Sequence, residues 1–113
     1  ILTNAGTCAK KTDLSQAKTY LRQALALRPN YPEALLQMGE ISFIEQNYIQ
    51  ARAFVSRYMD ASPANPLVLW LGYRTEIALR DPDAANAFAD QLVKGFPDSS
   101  EATLLQEQRR NAG

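Results

Sequence analysis

The chain has 113 residues, 46% hydrophobic and 21% charged, with 12 Lys+Arg balanced by 12 Asp+Glu, which suits one soluble domain with a modest core. Zero formal charge, with only Lys10-Lys11 and Arg109-Arg110 as adjacent basic residues, argues against nucleic acid and against a polybasic membrane-binding segment. The chain has no histidine, hence neither the commonest general base nor the commonest zinc ligand, so neither an enzyme nor a cofactor is expected.

The pattern predicts helices at about 1–11, 14–27, 32–45, 48–60, 66–79, 83–95 and 99–110. The first begins at Ile1 with no Met and no signal-peptide pattern, so the chain reads as part of a longer protein. Cys8 lies on that helix; a single cysteine excludes an internal disulfide and reads as a small buried hydrophobe. Asp13 suits an N-cap for the second helix, with Gln16 three residues on as a capping-box variant. Pro29 ends that helix and Pro32 opens the third. Asn47 and Gln50 repeat the capping pattern, Pro63 ends the fourth helix, and Pro66 opens the fifth. The run Leu67 to Tyr73 is the longest apolar stretch, far short of the ~18–20 residues that span a bilayer. Asp81 caps the sixth helix, with Pro82 at its first position, and Pro97 ends it. The acidic residues Asp81, Asp83, Asp90 and Asp98 lack the ligand number and glycine of a calcium loop and read as caps and solvated surface. Asp98-Ser99-Ser100-Glu101 forms a capping box for the last helix, which Leu104, Leu105, Gln108, Arg109 and Arg110 make amphipathic.

These elements repeat. Pro29, Pro63 and Pro97 are 34 residues apart, as are Ala17, Ala51 and Ala85, and Asp13, Asn47 and Asp81; Ala5 and Gly39 share the spacing. Ala24 follows Ala17 by seven. This period and these residue types resemble the tetratricopeptide repeat (TPR). The expected fold is therefore all-α: a superhelix of three helix-turn-helix repeats over about 1–31, 32–65 and 66–99, then a capping helix at 99–110. In each pair the backbones meet where side chains are small, Ala5 or Gly39 against Ala17 or Ala51. The third repeat departs from this: Tyr73 stands in the small-residue column and Gly72 lies one residue earlier. An array end exposes an apolar face, which the last helix is expected to cover with a polar outer side.

In stacked repeats of this kind the first helices line the concave face. The candidate partner-binding residues are Leu36, Gln37, Glu40 and Phe43 in the second repeat and Leu67, Trp70 and Arg74 in the third. Trp70 and Phe43 suit interface anchors. Leu71 and Ile77 share the helix, and packing between helices explains them. A carboxylate clamp would need cations or amides where Glu33, Leu36 and Glu40 stand, leaving Arg74 as its one suitable residue.

Longer stretches carry a more particular likeness. Asn30 to Glu40, Tyr48 to Arg52, Ser56-Arg57-Tyr58, Leu69 to Arg74 and Phe96 to Ser99 together resemble the C-terminal repeats of the type IV pilus biogenesis TPR lipoproteins, the PilF/PilW family. The resemblance implies a pilotin, which promotes outer-membrane localisation and oligomerisation of a secretin. It implies a secretin subunit as protein partner and a place on the periplasmic side of the outer membrane, anchored only by a lipid on residues before Ile1. Cys8 would not be the lipidated residue, and the partner surface would lie partly or wholly in preceding repeats. The alternative is a generic bacterial TPR adaptor in another envelope complex or in the cytoplasm.

Overall fold

The computed structural model describes the backbone of residues 7–112 and the side chains of residues 14–111. Among the described residues there are six helices and no strand: α1 (Thr7–Leu27), α2 (Pro32–Ile44), α3 (Tyr48–Ala61), α4 (Pro66–Ala78), α5 (Pro82–Gly95) and α6 (Ser100–Ala112). The prolines act as expected. Pro32, Pro66 and Pro82 each occupy the first position of a helix, and Pro29, Pro63 and Pro97 each stand two residues beyond the end of one. A proline N–H is not missed in the first turn, but a proline in the interior would break the backbone ladder.

The turns within the pairs α2–α3 and α4–α5 share one design. Gln46 and Arg80 adopt φ of 63° and 61°, the left-handed conformation that stops a helix. The N–H of Asn47 reaches Ser42 O at 2.8 Å, and that of Asp81 reaches Glu76 O at 2.9 Å, closing the ends of α2 and α4. The same two residues then open the next helix. Asn47 Oδ1 accepts from Gln50 N at 3.4 Å, and Asp81 Oδ1 accepts from Ala84 N at 3.1 Å.

That device is missing from the first repeat. Separate helices at 1–11 and 14–27 are expected from the sequence, but α1 runs unbroken from Thr7 to Leu27, so Asp13 is a helix-interior position rather than a helix start. The position matching Gln46 and Arg80 is Thr12, a β-branched residue for which positive φ is especially costly. A straight helix avoids that cost. The seven expected helices thus become six among the described residues. Ala5 and the side chain of Cys8 lie outside the described residues.

The main core is shared by α2 through α6: Leu35, Val55, Val68, Leu69, Leu71, Leu92 and Leu105 are buried in one cluster. A smaller cluster of Leu21, Ala34, Met38 and Ile41 joins α1 to α2, with Ala17 and Ala24 packed against it. Ala51 and Ala85 are fully buried. A Cβ built on Gly39 would stand 4.0 Å from Ala51 O and 3.0 Å from Leu71 Cδ2, so the close approach expected in the second repeat is present. In the third repeat it moves: a Cβ on Gly72 would lie 2.6 Å from the ring of Phe88. Tyr73, in the small-residue column, is instead buried with its ring stacked on Trp70.

The tail packs against the third repeat, in a specific place. α6 packs on both α4 and α5, burying Ala102 and Leu105. These lie 34 residues after the buried Val68 and Leu71, so α6 sits where the first helix of a further repeat would sit. Its cap is Ser99 rather than Asp98. Ser99 Oγ accepts from Ala102 N at 3.0 Å and donates to Phe96 O at 2.8 Å.

Candidate functional site

First helices form one layer. α2 packs on α4 and α4 on α6, a direct packing that α3 and α5 do not match. The array therefore closes towards the layer of first helices, which makes that side concave. On α4, Leu67, Trp70, Arg74 and Ile77 follow helical spacing and form one stripe. Leu36, Glu40 and Phe43 form the matching stripe on α2, and Leu104 continues it on α6.

Four of the candidates meet. The Arg74 guanidinium lies 4.7 Å from the ring centroid of Phe43 and 5.2 Å from that of Trp70, bridging α2 and α4. Its Nη2 donates to both carboxylate oxygens of Glu40, each at 3.4 Å. These are long contacts against the usual ~2.9–3.0 Å, so the ion pair holds the group loosely. The Nε of Arg74 is buried with no acceptor among the described residues. Facing two aromatic rings offsets part of the cost of leaving a cationic donor unpaired. Phe43 meets Tyr48 edge-on at 5.3 Å, and Trp70 stacks on Tyr73 at 5.8 Å. Both rings are thereby held in place while remaining partly buried.

The other candidates lie outside this cluster of contacts. Leu36, like Phe43 and Trp70, is partly buried and packs against the main core. Leu67 is 48% exposed on the stripe, and Gln37 is exposed on α2. Ile77, expected to pack between helices, is 44% exposed and extends the apolar stripe; Leu71 is fully buried, as packing requires. Leu71 points towards α2, its Cδ2 3.0 Å from where a Cβ on Gly39 would stand, whereas Ile77 lies on the stripe that no helix covers among the described residues. Arg74, the one residue suited to a carboxylate clamp, already faces Glu40.

Sequence reasoning missed a second polar feature between repeats. Arg52 on α3 donates from Nε and Nη2 to Glu76 on α4 at 3.0 and 2.6 Å, and its Nη2 lies 3.8 Å from Asp81. The hydrogen bond to Glu76 raises the Arg52 pKa further above its ordinary value. Glu76 is only 4% exposed, so Arg52 neutralises a carboxylate that burial would otherwise penalise. Lys18, 34 residues before Arg52, pairs with Glu45 at 3.1 Å in the previous interface. That spacing was a usable signal. Asn65 was also missed: it caps α4 by accepting from Val68 N at 2.9 Å and donates to the Tyr58 hydroxyl at 2.7 Å.

Comparisons place this architecture among known proteins. The tetratricopeptide repeat profile matches residues 9–71. The chain is 30% identical over 95 residues to the type IV pilus assembly protein PilF of Pseudomonas aeruginosa, an alignment covering 84% of this chain and 38% of that protein. It superposes on a structure from the functional characterisation of Pseudomonas aeruginosa PilF with a TM-score of 0.77 and 28% identity, covering 88% of this chain and 45% of the other. The crystal structure of PilW, a widely conserved type IV pilus biogenesis factor, matches with a TM-score of 0.77 and 25% identity, over 87% and 45% of the two chains. This chain therefore spans less than half the length of these relatives. With the family pattern matched across residues 9–71 and the two-helix unit repeated in α2–α3 and α4–α5, the chain belongs to the tetratricopeptide repeat family.

Proposed function

We propose that this chain is the repeat portion of a type IV pilus assembly factor. It acts without catalysis, as a pilotin that brings secretin subunits to the outer membrane and promotes their oligomerisation. The partner segment lies along the first-helix layer, across Phe43, Trp70 and Arg74, with Leu67 and Ile77 at the ends of the stripe. The protein works on the periplasmic side of the outer membrane, held by a lipid on residues preceding this chain.

The observation that carries the binding face is the Phe43–Arg74–Trp70 cluster. Two aromatic rings are fixed by Tyr48 and Tyr73 before any partner arrives, so little side-chain entropy remains to be lost on binding. The loose Glu40 contact leaves Arg74 Nη groups able to donate to a partner carbonyl. The likeness to PilF and PilW supports the pathway.

In the full-length protein, Trp70→Ala and Phe43→Ala are each expected to weaken partner binding by at least ~2 kcal/mol, roughly thirtyfold. Binding is read by pull-down of the secretin, with melting curves recorded beside it to separate lost contact from lost fold. A strain lacking the gene should make pilin but display no surface pili and few secretin oligomers. Normal piliation and normal secretin oligomers in that strain would remove the pilotin assignment and leave a generic repeat adaptor.

A further inference from the structure

Close packing of the first helices leaves the second helices splayed, and a cleft of about 430 Å³ opens between α1 and α3 on the opposite side of the array. Leu25, Met38 and Phe54 are among its apolar lining, and Arg22, Gln50 and Arg57 among its polar lining. Arg57 is held in place: Nη2 donates to Pro29 O at 2.7 Å, and the guanidinium sits 5.6 Å from the Phe54 ring centroid. Neither Arg22 nor Arg57 forms an ion pair among the described residues, whereas Lys18, Arg52 and Arg74 all do.

The repeat itself does not call for these cations. Thirty-four residues after Phe54 stands Phe88, so the aromatic recurs, but Arg22 and Arg57 are matched by Ser56 and Gln91. A basic pair that does not recur in the next repeat, forming no ion pair among the described residues and lying beside an apolar surface, has the chemistry to receive a carboxylate carried next to an apolar side chain. From this we infer that the α1–α3 cleft is a second docking site, which takes an acidic, apolar segment of a partner protein. The Arg57 groups left free by Pro29 bind the carboxylate together with Arg22, while the adjoining side chain enters over Leu25, Met38 and Phe54. Charge-assisted hydrogen bonds of this kind are about twice as strong as neutral ones, which makes the carboxylate the selective element. The site is separate from the Trp70 face and does not depend on the pilus assignment.

The test is a nitrogen-15 NMR titration of the full chain with two peptides, one bearing Asp-Leu-Phe-Glu between glycine-serine flanks and the other Asn-Leu-Phe-Gln. The acidic peptide is expected to shift the signals of Gln50, Ala53 and the Arg57 side chain. The amide peptide should bind about tenfold more weakly, as should Arg22→Ala/Arg57→Ala against the acidic one. Trp70→Ala should bind as the parent does. If loss of the Pro29 contact destabilises the double variant, Arg22→Glu alone should still weaken the acidic peptide. Equal binding of both peptides would overturn the proposal. So would undiminished binding by Arg22→Glu, or no shift up to about 1 mM peptide. Phosphatidylglycerol vesicles that shift these signals where the acidic peptide does not would assign the cleft to a lipid surface instead.

Discussion

Adding one methyl group at each of Gly72, Gly39 and Gly95 tests the packing directly, because the surroundings of the three sites are graded. A Cβ on Gly72 would lie 2.6, 2.8 and 2.8 Å from three ring atoms of Phe88, too close for any real contact. On Gly39 the nearest atom is Leu71 Cδ2 at 3.0 Å, the end of a side chain that can shift. On Gly95 nothing lies within 4 Å. Replacing a helical glycine by alanine gains up to about 1 kcal/mol of intrinsic helix preference. Overpacking a well-filled site costs about 1–3 kcal/mol. Pushing a whole ring aside at Gly72 belongs at the upper end, so Gly72→Ala should lose about 2 kcal/mol net. At about 4 °C per kcal/mol for a chain of this size, the melting temperature should fall by about 8 °C. Gly39→Ala should come out near zero. Gly95→Ala, which ends α5 and lies near a helix terminus, should gain about 0.5 kcal/mol, or about 2 °C. Differential scanning calorimetry on the three variants gives the order. Phe88→Leu in the Gly72→Ala background should recover part of the loss, a coupling that a double-mutant cycle reads. If Gly72→Ala melts at or above the parent, the close approach of α4 to α5 at this point is wrong.

Ala51 is fully buried beside the Gly39 backbone, so Ala51→Leu should lose about 3 kcal/mol in a denaturant titration; an unchanged midpoint would place Ala51 elsewhere. Arg52→Ala leaves the buried Glu76 carboxylate without its two hydrogen bonds and should cost about 2 kcal/mol, with Arg52→Lys recovering only part because a lysine cannot supply the planar fork; equal melting of all three proteins would show that the bridge contributes nothing. Deleting residues 99–113 uncovers the surfaces of α4 and α5 against which Ala102 and Leu105 are buried. That truncation should aggregate at concentrations where the parent stays soluble, while amide exchange in α2 and α3 changes little, because coupling in such arrays runs between neighbours; a soluble truncation would make α6 a loose extension.

Periodicity alone determined the repeat. The 34-residue spacing of prolines, small residues and caps prescribed which segments are helical and where five of the six helices begin or end, because proline and capping chemistry act through the backbone within a turn or two. It also placed Phe43, Glu40, Trp70 and Arg74 on first helices. What it could not supply was whether they touch. Their meeting needs the stacking of α2 against α4, which sets a distance between residues 31 apart, Phe43 and Arg74, through the shared core of Leu35, Leu69 and Leu71 against which Phe43 and Trp70 pack. The first repeat shows the same limit from the other side. Asp13 has the sequence of a cap, yet a cap works only where the preceding helix has stopped, and stopping depends on a residue that accepts positive φ; Gln46 and Arg80 do so in their turns, and α1 runs straight through Thr12. Likewise the third repeat had a glycine one position out of column, and only the ring of Phe88 lying over Gly72 revealed where the two helices come together, because a close approach is a property of both partners and a sequence column records only one.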